Sequence, residues 1–313
     1  MALPQLLGDE RERTFGDRYR VGRQIGRGAY GDVFEGVNTE TGHSIAIKMY
    51  RSYYDDTSHV EIAALNALKG IHGIPSIHWH GNKGTGEYCE AVVMDKLGPS
   101  LKVLFDFCNK KFSSKTVSHL AIQLIDLIKS IHSRGFIHRS IKPENILMGC
   151  SGGIEKNRVY LVDFGTAKRY RDTDGKHMTY KEGRRVKTSP RYLSINAHLQ
   201  VRRSRRDDLI SLGYMLVHLV QGRLPWQDIK DRYKIQHIKE ITPIHKLCLE
   251  LPSEFATYLN YCHSLRFEED PDYLFLEKLF RAQFEGGNFT PDDLFDWNLA
   301  EHRYPPPPEN YGL

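Results

Sequence analysis

Three things are scarce in this chain of 313 residues: cysteine, long apolar runs and a surplus of either charge. The five cysteines, Cys89, Cys108, Cys150, Cys248 and Cys262, are odd in number and widely spaced, with no C-x-x-C pair. That argues against a disulfide frame or a thiolate zinc site and predicts free thiols in a reducing compartment, cytoplasmic or nuclear. No apolar run approaches the roughly 20 residues of a membrane span. The opening Met-Ala-Leu-Pro-Gln lacks the basic and apolar regions of a signal peptide, and the closing Tyr-Gly-Leu carries no prenylation cysteine. A net charge of +5 is too mild for the concentrated basic face of a nucleic-acid binder. No internal repeat is visible. What is present is 40% hydrophobic and 27% charged residues, enough for a large core beneath a charged surface. The length suggests two folding units, and a monomer is expected.

Residues 1–17 are polar and read as a loose segment. From Tyr19 to Met94 the pattern is strand-rich. Tyr19–Ile25, Asp32–Val37 and Ser44–Met49 are β-prone runs between glycine turns, and Ile77–His80 and Cys89–Met94 resume them. Ser58–Leu68 reads as a helix with Val60, Ala64 and Leu68 on one face. Beyond Gly98 helical patterns dominate. Ser113 is a candidate N-cap for a helix through Ile131, Asp208–Val220 is strongly apolar, and Glu254–Ser264 and Tyr273–Phe284 are amphipathic. Pro305–Pro308 is a stiff, polyproline-like stretch. The expectation is an α+β chain in four parts: an N-terminal tail (1–18), a small strand-rich lobe (19–95), a larger helical lobe (96–300) and a Pro-rich tail (301–313).

Gly26-Arg-Gly28-Ala-Tyr-Gly31-Asp-Val33 spells G-x-G-x-x-G-x-V. Such glycines let the backbone approach phosphate oxygens with no Cβ in the way. A dinucleotide-binding loop shares the glycines, but it opens a helix and is followed by an acidic residue about 20 positions on. Here β-prone Val33-Phe34 follows, then Ala46-Ile47-Lys48, the order of the strand lysine in protein kinases. Lys48 is expected to hold the α- and β-phosphates of ATP, with Glu61 on the next helix fixing it. His138-Arg139-Ser140-Ile141-Lys142-Pro143-Glu144-Asn145 matches the catalytic loop H-R-D-L-x-x-x-N except at the aspartate, and Asp163-Phe164-Gly165 is a D-F-G element. Asn145 and Asp163 would supply oxygens to Mg²⁺. Four such elements in this order leave little room for chance.

On these residues, and from about Tyr19 to Asn298, the chain resembles the casein kinase 1 family of Ser/Thr protein kinases. The most specific match is Arg191-Tyr192-Leu193-Ser194-Ile195-Asn196, in place of the usual A-P-E. Leu97-Gly98-Pro99-Ser100-Leu101, Ser204-Arg-Arg-Asp207-Asp208, Pro225-Trp226-Gln227 and Phe295-Asp-Trp297 agree with it. The resemblance implies a bilobal protein-kinase fold. Ile25, Val33 and Ala46 would line the adenine pocket, Met94 would stand beside the base, and Asp95 and Leu97 would form the hinge. Lys142 would belong to the catalytic set, and Asp208 would be the buried carboxylate that holds the catalytic loop. Substrates or partners would be acidic or phosphorylated proteins, met by an anion pocket of Arg184, Arg185, Lys187 and Arg191. The departures are specific. Thr188-Ser189-Pro190 replaces the family's Gly-Thr-Ala. Lys234 remains in the basic cluster after Pro-Trp-Gln, but Ile235 and His237 occupy two other basic positions.

Ser140 is the largest departure, because it replaces the carboxylate that orients the attacking hydroxyl and accepts its proton. A serine hydroxyl is neutral and very weakly basic. General-base loss costs about 10²–10⁴ in rate, or roughly 3–5 kcal/mol of transition-state stabilisation. Two readings stay open: an Mg-ATP-binding pseudokinase that acts as scaffold or switch, and an active Ser/Thr kinase using another carboxylate such as Glu144.

Overall fold

A computed structural model of the chain describes residues 14–28, 30–51, 57–82, 88–150, 155–183, 188–287 and 294–300. The proline stretch Pro305–Pro308 lies outside them. Strands β1 (Thr14–Phe15), β2 (Tyr19–Arg27), β3 (Gly31–Asn38), β4 (Ser44–Arg51), β5 (Ile77–Gly81) and β6 (Tyr88–Asp95) form one sheet in the order β1-β2-β3-β4-β6-β5. Every neighbouring pair is antiparallel. Period-two alternation sorts their side chains. Ile45, Ile47 and Met49 of β4 join Val21, Phe34 and Val93 on one face, whereas Ala46 and Tyr50 join Ile25, Val33, Val92 and Met94 on the other. Lys48 falls on the second face, between Ala46 and Tyr50, and so points into the cleft beside the sheet.

Two expectations need correction here. Residues 1–17 are not all loose: Thr14 and Phe15 pair with Arg20 and Tyr19, and the buried Phe15 ring packs against Trp79 at 5.7 Å. Helix α1 (Thr57–Ala67) buries Ser58, Glu61, Ile62, Ala64 and Leu65, while Val60 is exposed. The buried stripe follows i, i+3, i+4, i+7 from Ser58, which turns Val60 outward. A charged residue, Glu61, lies inside that stripe because its partner is Lys48 on the sheet.

The second half is helical: α2 (Leu101–Phe107), α3 (Ser114–Ser133), α4 (Ile195–His198), α5 (Arg205–Gln221), α6 (Arg232–Ile241), α7 (Ile244–Leu247), α8 (Ser253–Ser264), α9 (Tyr273–Gly286) and α10 (Asp296–Ala300). Ser113 caps α3 as expected, its Oγ accepting the Thr116 N–H at 3.2 Å. The carboxylate of Asp296 in turn accepts from both the N–H and the Oγ–H of Ser113, tying α10 to α3. Helix α5 is buried along almost its whole length and forms the axis of this lobe. Two short ladders hold the loops at the lobe junction: β7 (Phe136–Ile137) with β10 (Lys168–Arg169), and β8 (Ile146–Met148) with β9 (Val159–Leu161). Cys108, Cys248 and Cys262 are free thiols.

Between α8 and α9, Phe280 meets Phe255 and Tyr258 at ring distances of 5.4 and 5.6 Å and is fully buried. On the same helix Leu274 is 56% exposed. Phe280→Ala is expected to cost about 3–5 kcal/mol of stability through lost burial and a residual cavity. Leu274→Ala should stay within about 0.5 kcal/mol. Urea unfolding of the two variants checks the contrast.

Candidate functional site

The cleft beside the sheet is lined by Ile25, Gly28, Gly31, Val33, Ala46, Lys48, Glu61, Met94, Asp95, Leu97 and Asp163, all of them expected from the sequence. Gly26 is the exception: it pairs with Val33 in the ladder at the base of the loop and does not line the cleft. Tyr30, Leu147 and Val162 complete the lining and were not anticipated. Alternation could have found Leu147, since Ile146 and Met148 enter the helical core while the residue between them turns to the cleft. Val162 directly precedes Asp163.

At the inner end, Lys48 Nζ donates to Glu61 Oε2 at 2.5 Å and to Asp163 Oδ1 at 3.1 Å. Tyr50, two residues along β4, donates its hydroxyl to the same Glu61 oxygen at 2.6 Å. Burial opposes the Lys48 charge, but the Glu61 and Asp163 carboxylates outweigh it and raise the ammonium's pKa. Burial likewise works against ionised Asp163, yet Lys48 and then Lys142 hold it below the usual carboxylate range. The start of α1 is pressed against the D-F-G turn: a Cβ on Gly165 would lie 2.6 Å from Thr57 Cγ2. Phe164 is buried edge-on to the His138 ring at 4.8 Å.

The catalytic loop hangs from Asp208, as the resemblance implied. Its carboxylate accepts the backbone N–H groups of His138 at 2.7 Å and Arg139 at 2.8 Å, and lies 3.1 Å from His132 Nε2. Burial disfavours this charge, but the His132 hydrogen bond and the loop donors more than offset it and lower the pKa. The Ser140 N–H donates to His138 Nδ1 at 3.2 Å, so the ring proton sits on Nε2 and donates to the Val162 carbonyl at 3.0 Å. Arg139 and Asp163 both adopt left-handed backbone, at φ 69° and 64°. Such strain persists only where surrounding contacts over-determine it.

Ser140 is buried, and its Oγ accepts from Asn145 Nδ2 at 3.2 Å; the same Nδ2 donates to the Ser140 carbonyl at 2.9 Å. Asn145 Oδ1 is buried with no hydrogen-bond partner among the described residues. An orphaned buried acceptor calls for an explanation. The backbone of Asn145 is tied to that of Val162 at 2.9 Å, next to Asp163. An amide oxygen and an ionised carboxylate brought together fit a hard divalent cation such as Mg²⁺.

Arg139, Ser140, Lys142, Thr188, Ser189 and Tyr192 border a small cavity beside the loop. The segment after Ser189 is fastened from below. Trp226 Nε1 donates to the Arg191 carbonyl at 2.8 Å, and Lys239 Nζ donates to the carbonyls of Pro190 and Leu193 at 2.9 and 2.6 Å. Of the expected anion pocket only Arg191 is placed, because Arg184, Arg185 and Lys187 lie outside the described residues. Ile235 faces the core of the helical lobe, whereas Lys234 and His237 are exposed on α6. Glu144 Oε2 is buried without a hydrogen-bond partner among the described residues, and burial followed by the Glu144 charge raises the Tyr192 phenol.

The family model of the protein kinase domain matches residues 19–281.

Two histidines behind this segment make its stability pH-dependent. His218, hydrogen-bonded to the Tyr192 hydroxyl at 2.7 Å, is pushed down to about 4 by burial and then by Arg191 and Lys102. His198, beside Lys239, is pushed down to about 3 by burial and that ammonium. Both stay neutral in the folded chain where the unfolded chain gains protons. Stability is therefore full above roughly pH 6.5 and falls as pH drops toward the folded values. Urea midpoints between pH 7.5 and 5 should decline, and His218→Gln should reduce the slope by up to about 1.4 kcal/mol per pH unit.

Proposed function

The chain belongs to the protein kinase domain family, and from that premise we propose that it is a casein kinase 1-like Ser/Thr kinase domain that binds Mg-ATP but transfers phosphate weakly, serving as a scaffold or switch. The observation that carries this reading is Ser140 on a loop whose other supports, Asp208, His138 and Asn145, are in place. In this reading Lys48, oriented by Glu61, meets the α- and β-phosphates, and Ile25, Val33, Ala46 and Met94 enclose the base. Asn145 Oδ1 and Asp163 would hold Mg²⁺, which supplies neutralising charge to the phosphate oxygens when bound. Ser140 can hydrogen-bond an incoming hydroxyl but cannot take its proton, so the loop orients substrate without activating it.

The second reading, an active Ser/Thr kinase, draws on one observation: Glu144 Oε2, without a hydrogen-bond partner among the described residues, belongs to a carboxylate on the same turn. In either reading the partner is a protein, acidic or phosphorylated, drawn by Arg191 with Arg184, Arg185 and Lys187. We further place the chain in the cytoplasm or nucleus as a monomer, the setting that suits its free thiols.

Mg-ATP should stabilise the fold by mass action, about 2.7 kcal/mol at a hundredfold excess over Kd. A thermal-shift titration should show a saturable, Mg-dependent rise in midpoint, weakened by Lys48→Met. A flat titration of folded protein would sink the nucleotide reading.

A further inference from the structure

Arg51, the last residue of β4, reaches the glycine loop at several points. The β4–β6 ladder is irregular between Tyr50 and Arg51, and Arg51 pairs with Tyr88 beyond that step. Alternation along β4 puts Arg51 on the Met49 face, opposite Lys48 and Tyr50. Asp32 of β3, the cross-strand partner of Met49, lies on that same face. Nη2 donates to both oxygens of Asp32, at 2.6 and 2.7 Å, while Nη1 donates to the Gly28 carbonyl at 3.3 Å. The Arg51 backbone N–H donates to the Tyr30 carbonyl at 3.2 Å. Asp32 is 3% exposed and also accepts the Tyr88 hydroxyl at 2.6 Å.

The loop itself is drawn tight. The Gly28 N–H donates to the Gly31 carbonyl at 2.8 Å, and a Cβ on Gly31 would lie 2.1 Å from the Met49 carbonyl oxygen. The return of the loop thus lies directly on β4, the strand that carries Lys48. Two loop carbonyls, of Gly28 and Tyr30, are engaged by Arg51. Carbonyl oxygens repel phosphate oxygens, so turning the Gly28 carbonyl onto the guanidinium and the Tyr30 carbonyl onto a backbone N–H suits a phosphate-facing loop. One guanidinium nitrogen spans both Asp32 oxygens while the other reaches the Gly28 carbonyl, a spread of donors that the single nitrogen of an ammonium cannot match.

We propose that Arg51 is a positioning residue that latches the glycine loop onto β4 and so sets where the phosphates of ATP are held. The proposal rests on the nucleotide-binding reading above. It assigns Arg51 no contact with nucleotide; its effect passes through Gly28, Tyr30 and Asp32.

The test compares the chain with Arg51→Lys, and with Arg51→Gln should the lysine variant not fold. Affinities for Mg-ATP and for adenosine are measured by calorimetry, and amide exchange is followed at Gly28, Tyr30 and Gly31. Loss of the latch should weaken Mg-ATP binding about tenfold, the scale of one charge-assisted contact, and leave adenosine binding unchanged. Exchange at the three loop amides should quicken. Leu274→Ala, an exposed change on α9 of the helical lobe, should leave the Mg-ATP to adenosine ratio as it is. An equal loss of both ligands, or unchanged exchange at the loop, would overturn the proposal. If the unaltered chain binds no Mg-ATP, the nucleotide reading fails, and the loop exchange alone decides whether the latch exists.

Discussion

A buried carboxylate with three donors around it, Asp208, carries the functional half of this molecule. Taking a charge out of water costs several kcal/mol unless hydrogen bonds replace the lost solvation. Asp208 finds that replacement in the backbone of His138 and Arg139 and the ring of His132. Everything downstream inherits the resulting geometry. The His138 ring fixes the Ser140 N–H and the Val162 carbonyl, and Asn145 closes back onto Ser140. None of these contacts uses a carboxylate at position 140. The loop can therefore keep its shape while lacking the group that would accept a proton.

Much of the site was legible in the sequence, because phosphate and metal chemistry demand particular residue types at fixed spacings. Glycines 28 and 31, Lys48, Glu61, Asn145 and Asp163 were readable on that ground, and the cleft gathers all but Asn145 in its lining. What escaped was set by packing. Tyr50 reaches Glu61 only because α1 docks beside β4, and Tyr30 and Val162 reach the cleft through the path of the chain. Val60 was placed on the wrong face because a charged residue, Glu61, occupies the buried stripe, and an apolar count cannot foresee an internal ion pair. The strand at Thr14–Phe15 was missed for a related reason: two residues carry no period, and their pairing depends on Trp79 far along the chain. Ile235 shows the converse, since a position expected to be basic by family likeness turns inward on α6 and becomes core.

In the proposed reading nucleotide binding and phosphate transfer are separable. The Lys48–Glu61–Asp163 triad and the apolar cleft would face the nucleotide, and the triad's ion pairs are made without Ser140. Transfer also needs a proton acceptor at the substrate hydroxyl, and there the chain offers a neutral oxygen already accepting from Asn145. The Pro190–Leu193 segment adds a second restraint, because Trp226 and Lys239 fasten its carbonyls from below. A misplacement of the hydroxyl by about 1 Å would cost roughly a further 10²-fold. The central claim is that a missing base on an intact loop limits this domain. It is tested most directly by turnover of an acidic, casein-like peptide under saturating Mg-ATP, comparing the chain with Ser140→Asp. The account predicts weak or undetectable transfer by the serine protein and a gain of up to about 10²–10⁴ on restoring the carboxylate. Robust transfer by the serine protein, unaltered by the substitution, would contradict it and place the base elsewhere.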